Sequence, residues 1–148
     1  MLRSPTPRPE PIRQRGVEIL QVLVTHAVAL RRTAHDAHVN VRGMHFESLH
    51  KLFGEVYDLT NAHVDLLKER IRTLGGTPVD GVLPAVEPVE SDGARLCEAL
   101  ATAVSEYAAA VDAAFYETSD LRLTADAAVL QNEMPAIEKL GWRLLSHI

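Results

Sequence analysis

Apolar residues recur at helical spacing along most of this 148-residue chain, and no segment alternates apolar and polar residues as a half-buried strand does. The spacing predicts a first helix from about Val17 to His38, with one apolar face for packing. A second helix is predicted from about His45 to the sequence LGG at residues 74–76, because glycine readily adopts the left-handed conformation that ends a helix. The chain is therefore predicted to be all-α.

A proline-rich connection separates these two helices from two more. Residues 77–92 contain three prolines, which predicts a long crossover with room for one short helical turn. We expect an alanine-rich third helix capped by Ser91 or Asp92, and a fourth helix that begins near Asp120 and is kinked or split at Pro135. Two helical hairpins joined by a long crossover are typical of a ferritin-like four-helix bundle.

The first fifteen residues, MLRSPTPRPEPIRQR, contain four arginines, four prolines and a single glutamate. This composition predicts a mobile basic tail over residues 1–15, followed by one domain over residues 16–148. Such a tail either contacts DNA phosphates or is a solvated leader without a partner. Because the whole chain carries a net charge of -5, we expect any DNA binding to be weak and confined to the tail.

Cysteine content and hydropathy exclude several classes of protein. The single cysteine, Cys97, rules out an intrachain disulfide and a cysteine-rich zinc site. No apolar run approaches the roughly 20 residues that cross a membrane, and the amino terminus lacks the apolar stretch of a secretory signal. We therefore expect a cytoplasmic protein without a membrane partner.

The second predicted helix carries a polar stripe beside its apolar face, in which an imidazole and several carboxylates lie within one arc. Its members are His50, Gly54, Asp58, Asp65 and Glu69. Lys51 and Lys68 fall in the same arc, so periodicity alone favours an ordinary solvated surface. Imidazole nitrogen and carboxylate oxygen do bind iron. An intrachain di-iron site needs two Glu-x-x-His pairs, and only Glu47–His50 is present, so any metal site would be assembled between chains.

Two segments, HVNVRGMHFESLHKLF at residues 38–53 and VDLLKERIRTLGGTP at residues 64–78, resemble the motifs of the Dps proteins, the miniferritins of starved bacteria. The resemblance covers about residues 34–78, and it returns weakly in TSDLRLTAD and EKLGW near the end. It implies a hollow shell of twelve identical subunits that oxidises ferrous iron with hydrogen peroxide or dioxygen. Ferric mineral would be stored inside, which protects the cell from oxidative damage.

The resemblance also implies which side chains bind iron. His38 and His50 would come from one subunit, and Asp65 and Glu69 from its partner across a two-fold interface. The sequence departs from the family where an aspartate ligand usually follows the second histidine by four residues, since Gly54 occupies that position. In the HWNV motif, tryptophan is replaced by valine. These departures leave open an alternative, a shell that condenses DNA or stores metal with little ferroxidase activity.

Two residues are candidates to replace the ligand missing at Gly54. His35 precedes His38 by three residues and would share its helix face, while Asp58 follows on the polar stripe. An imidazole reaching across from the first helix would make the site richer in nitrogen and would suit zinc as well as iron. The ordinary alternative is that His35 lies near solvent at the end of its helix.

The remaining polar candidates lie outside this stripe. Glu117, Asp120 and Asp126 cluster near the junction of the third and fourth helices, where they would either line an iron pore or flank helix ends. His63 points away from the stripe, which predicts a packing role or partial exposure.

Overall fold

Four long helices follow one another along the chain in the computed structural model, which describes residues 1–84 and 90–148. They are α1 (Glu10–Asn40), α2 (Phe46–Leu74), α3 (Gly93–Asp120) and α4 (Thr124–Leu145). The described residues contain no strand, only an isolated bridge between Arg42 and Asp92. The predicted all-α class is confirmed. In the described part of the chain, no helix has the length and apolarity to cross a membrane.

The helices form two hairpins. α1 packs most extensively against α2, and α3 against α4, with α1 also lying along α3. The connection between the hairpins contains no helix in residues 77–84 and 90–92. For residues 85–89, which lie outside the described ranges, the predicted short helical turn stays a prediction. This is the predicted four-helix bundle with a long crossover.

Large apolar side chains from all four helices fill the centre of the bundle. They include Leu20, Leu23, Phe53, Ile71, Leu100 and Leu144, each with at most 1 % of its surface exposed. Burial of one such side chain stabilises a fold by about 1.5–3 kcal/mol. This apolar core fixes the positions of the helices, and thus of the polar groups between them.

Two helix ends match the sequence signals. Gly75 has a φ of 94°, and the N–H of Gly76 donates to the carbonyl of Ile71 at 2.9 Å, which closes α2 in the predicted left-handed turn. At the start of α3, the Asp92 carboxylate accepts a hydrogen bond from the Arg95 N–H at 3.0 Å. Both predicted ends are confirmed.

The start of α1 differs from the prediction. The helix begins at Glu10 instead of Val17, because a proline in the first helical turn has a suitable φ and lacks only an N–H that would be unpaired there. Residues 2–8 then lie against the bundle, where the Leu2 N–H donates to the Gly75 carbonyl at 2.9 Å. The predicted helix start at Val17 is therefore wrong, whereas the division of the chain after residue 15 stays a prediction.

The last helix also differs from the prediction. α3 continues to Asp120, and α4 begins at Thr124 after a turn in which Arg122 has a φ of 54°. α4 runs without interruption through Pro135, so the predicted split is wrong, while the predicted kink stays a prediction. Pro135 lies on the exposed side of α4, so the disturbance that proline causes in the helix backbone is away from the apolar core.

Candidate metal centre

The α1–α2 hairpin brings His38 and His50 together at its closed end. Their imidazole rings stack with centroids 3.8 Å apart and an interplanar angle of 22°. Both side chains are half-buried, between the apolar core and solvent. The two histidines that the resemblance assigned to one subunit therefore lie side by side.

Reciprocal hydrogen bonds hold the two rings. Nδ1 of His38 lies 2.7 Å from the carbonyl oxygen of His50, and Nδ1 of His50 lies 2.7 Å from the carbonyl oxygen of His38. A carbonyl can only accept, so each Nδ1 must carry the proton and donate it. In a neutral ring this leaves Nε2 with a free lone pair, which is the form of imidazole that binds a metal.

Gly54 is the point on α2 where the His38 ring packs against the helix backbone. A Cβ atom at position 54 would lie 3.0 Å from Nδ1 and 3.1 Å from Cε1 of His38. The space beside Gly54 is thus occupied by an imidazole from α1, as hypothesised, but the imidazole is that of His38. The idea that His35 fills this space is wrong, while its role as a ligand stays a prediction.

Further rings extend the His38–His50 pair in both directions. Phe46 stacks on His50 with centroids 5.1 Å apart, and His35 lies 6.4 Å from His38 and 4.9 Å from the Tyr57 ring. Phe46 remains 39 % exposed. One side of the hairpin therefore presents a row of rings that can contact a neighbouring molecule.

The predicted carboxylate ligands lie elsewhere on α2. Asp65 and Glu69 are exposed, as is Asp58. Asp65 and Glu69 follow His50 by 15 and 19 residues, which corresponds to about 22 and 28 Å along a helix axis. Among the residues described here, no three His, Cys, Asp or Glu side chains form a group that could hold a metal ion. Only a second copy could bring these carboxylates to the histidines.

Comparison with known families agrees with this fold. The family model described as the ferritin-like domain matches residues 17–124, which is most of the chain. The chain belongs to the ferritin-like family.

Curated relatives of this ferritin-like chain carry Dps names. It is 33% identical over 94 residues to the "DNA protection during starvation protein" of Brevibacillus brevis, a match that covers 64% of the chain and 63% of that relative. It is 36% identical over 63 residues to "DNA protection during starvation protein 2" of Bacillus anthracis, 43% of each protein. The chain thus spans less than two thirds of the length of these relatives. The resemblance to the Dps proteins is confirmed.

Solved structures share the ferritin-like bundle over nearly its whole length. A Dps protein from Bacillus brevis superposes with a TM-score of 0.84 at 24% identity, covering 93% of this chain and 97% of the other. DpsC from Streptomyces coelicolor gives 0.90 at 19% identity, with coverage of 98% and 90%. At these identities, the likeness establishes the fold.

A buried polar cluster inside the ferritin-like bundle was missed by sequence reasoning. His63 on α2 is 3 % exposed, with Nε2 2.5 Å from a Glu133 carboxylate oxygen and Nδ1 3.2 Å from the Tyr107 hydroxyl. Burial holds the pKa of His63 below its ordinary value, although Glu133 opposes this shift. Burial also raises the pKa of Tyr107. The predicted packing role of His63 is confirmed, but its partners come from α3 and α4 and left no local signal.

The three acidic pore candidates have different surroundings. Asp126 is 1 % exposed and accepts a hydrogen bond from Arg70 Nε at 2.9 Å. Assembly can only bury a side chain further, so Asp126 does not line a pore and that prediction is wrong. Glu117 pairs with Arg15 at 2.9 Å near the surface, and Asp120 is exposed. For Glu117 and Asp120 the pore role stays a prediction.

Proposed function

We propose that the protein is a Dps-type miniferritin, which oxidises ferrous iron at a di-metal site between two subunits. Ferric mineral is stored inside a shell of twelve copies. The observation that carries this proposal is the His38–His50 pair, in which both Nδ1 protons are donated to carbonyls and both Nε2 lone pairs remain for metal. The Dps names of the curated relatives support the same assignment.

The ligand set is completed across a two-fold axis. In an isologous interface, the same patch of both copies meets, so a histidine pair of one copy can face the carboxylates of the other. Asp65 and Glu69 of the partner subunit would then supply oxygen ligands to ferrous iron held by His38 and His50. The row of rings beside these histidines gives the interface an apolar component.

The chemistry follows from holding two ferrous ions together. Two one-electron donors reduce one hydrogen peroxide molecule to two water molecules, with uptake of two protons, and both irons become ferric. Because the peroxide receives both electrons in one site, no hydroxyl radical is released. Imidazole nitrogen also suits zinc, which would compete with iron for the same positions. We expect this activity to serve in the cytoplasm.

Complementation between two inactive variants tests the shared site. His50→Ala removes a nitrogen ligand, and Glu69→Ala removes an oxygen ligand, so each variant alone should lose fast oxidation. In a shell reassembled from equal amounts of both, half of the two-fold pairs are mixed, and one of the two sites in each mixed pair is complete. About one quarter of the wild-type rate should return. His26→Ala, at an exposed position on α1, is the matched control and should keep full activity.

The readout is the absorbance of ferric oxide after ferrous iron and peroxide are added to apo-protein. A mixed shell no faster than the two pure variants would exclude ligands from two subunits. If the wild-type protein oxidises ferrous iron no faster than buffer does, the protein is not a ferroxidase.

The second candidate function is a shell that stores metal or condenses DNA with little oxidation. One observation favours it: position 54 has no carboxylate, and the His38 ring covers the backbone there. DNA binding by a free arginine arm is limited, because Arg8 and Arg13 donate to the carbonyls of Arg122 and Leu74. Weak DNA binding and association with the nucleoid therefore stay secondary parts of the proposal.

A further inference from the structure

A cavity of about 330 Å³ lies where the N-terminal segment, the end of α2 and the start of α4 meet. Arg8, Arg70 and Arg122 line it, together with one carboxylate, that of Asp126. Three arginines against one aspartate give the lining of the cavity an excess of positive charge, although the whole chain has a net charge of -5. Such a concentration of positive charge attracts an anion.

Hydrogen bonds from the N-terminal segment fix one wall of the cavity. The Leu2 N–H donates to the Gly75 carbonyl at 2.9 Å, and the Ser4 hydroxyl donates to the Thr73 carbonyl at 2.6 Å. Nε of Arg8 donates to the Arg122 carbonyl at 3.0 Å, which joins this segment to the α3–α4 turn. The basic segment thus forms part of a walled site.

The charges of the lining are only partly compensated. Asp126 is 1 % exposed, and its carboxylate is paired with Nε of Arg70 at 2.9 Å. Neither Arg8 nor Arg122 forms an ion pair with another residue of the described ranges. Two guanidinium groups beside the cavity therefore remain uncompensated by a carboxylate.

The shape of the donors favours a tetrahedral oxyanion. A guanidinium group offers parallel N–H donors that match two oxygens of a phosphate at once. Thr124, the first residue of α4, also lines the cavity, and no side chain caps this helix start. The N–H groups at a helix start add favourable donors for the same oxygens.

We propose that this cavity binds a phosphate group, either as inorganic phosphate or as the terminal group of a small phosphate monoester. Its volume lies at the lower end of the range of small-molecule sites, which leaves room for an organic substituent on the phosphate. This binding is independent of ferroxidase activity, since none of the iron ligands lines the cavity.

Calorimetric titration of the assembled protein at low ionic strength tests the site, with inorganic phosphate and adenosine monophosphate as separate probes. Arg122→Gly removes one guanidinium while keeping the fold, because a φ of 54° suits glycine better than arginine. Arg8→Gln removes a second one. Arg95→Gln is the matched control, since Arg95 has a side chain that is 76% exposed and lies outside the cavity.

We expect saturable binding of one phosphate per chain, weakened about tenfold in Arg122→Gly and Arg8→Gln and unchanged in Arg95→Gln. Tighter binding of the monophosphate identifies a monoester ligand, and equal or weaker binding identifies inorganic phosphate. Absence of saturable heat with both probes would overturn the proposal. If Arg95→Gln weakens phosphate binding as much as the cavity variants do, the proposal fails as well, because the loss then reflects only the change in overall charge.

Discussion

Replacement of Gly54 by alanine probes the contact that sets the geometry of the histidine pair. In a helix interior, this substitution ordinarily stabilises a protein by about 1 kcal/mol, because glycine loses more backbone freedom on folding. At Gly54 the new Cβ would lie 3.0 Å from Nδ1 of His38, closer than ordinary van der Waals contact. The ring must therefore shift by a few tenths of an ångström, which disturbs its 2.7 Å hydrogen bond to the His50 carbonyl.

The magnitude follows from two opposing contributions. Weakening a hydrogen bond between neutral groups costs about 0.5–1.5 kcal/mol, which is close to the gain from helix propensity. The free energy of unfolding of Gly54→Ala should therefore stay near the wild-type value. Gly141 offers a matched control inside α4, since a Cβ there would meet only Val104 Cγ1 at 3.5 Å. Gly141→Ala should gain the full amount of about 1 kcal/mol.

Urea unfolding followed by far-ultraviolet circular dichroism measures both variants, at concentrations where they sediment like the wild type. Ferrous oxidation with peroxide provides a second readout, which should slow in Gly54→Ala and stay unchanged in Gly141→Ala. If Gly54→Ala stabilises the protein as much as Gly141→Ala, the His38 ring does not rest on the α2 backbone, and our account of position 54 fails.

Three further predictions concern other polar groups. Because burial lowers the pKa of His63 from 6.5, the unfolded chain binds more protons below that pH. The free energy of unfolding should therefore fall as the pH is lowered from 7 to 5, and His63→Gln should reduce this pH dependence. An unchanged pH dependence in His63→Gln would show that other groups cause it. Asp120→Asn should slow iron uptake without affecting assembly, and unaltered uptake kinetics would show that Asp120 does not line the pore. His35→Ala should lose metal at one of two positions, whereas full occupancy in a metal titration would show that His35 is not a ligand.

Periodicity and helix-end signals predicted most of the fold. The end of α2 at Gly75 and the cap of α3 at Asp92 depend on local backbone chemistry, which a sequence contains directly. The start of α1 is hidden in the sequence because a run of prolines and arginines is typical of a tail, although Pro11 suits the first turn of a helix. Composition alone does not distinguish a disordered segment from one tied down by a few hydrogen bonds.

The sequence names candidate residues for the site but does not indicate how they are arranged. His38 and His50 follow from a motif, but their reciprocal hydrogen bonds depend on how closely α1 and α2 pack. In the cluster around His63, Tyr107 and Glu133 lie 44 and 70 positions further along the chain, so no local sequence pattern predicts their contact. Contacts of this kind are set by the packing of the bundle, to which every helix contributes.

An anomalous-scattering map of iron-soaked crystals tests the central claim most directly, because it locates the metal and its ligands together. The account predicts iron bound by Nε2 of His38 and His50 of one chain and by Asp65 and Glu69 of the partner subunit. Iron held by residues of a single chain, or no iron at the His38–His50 pair in crystals that contain iron elsewhere, would contradict it.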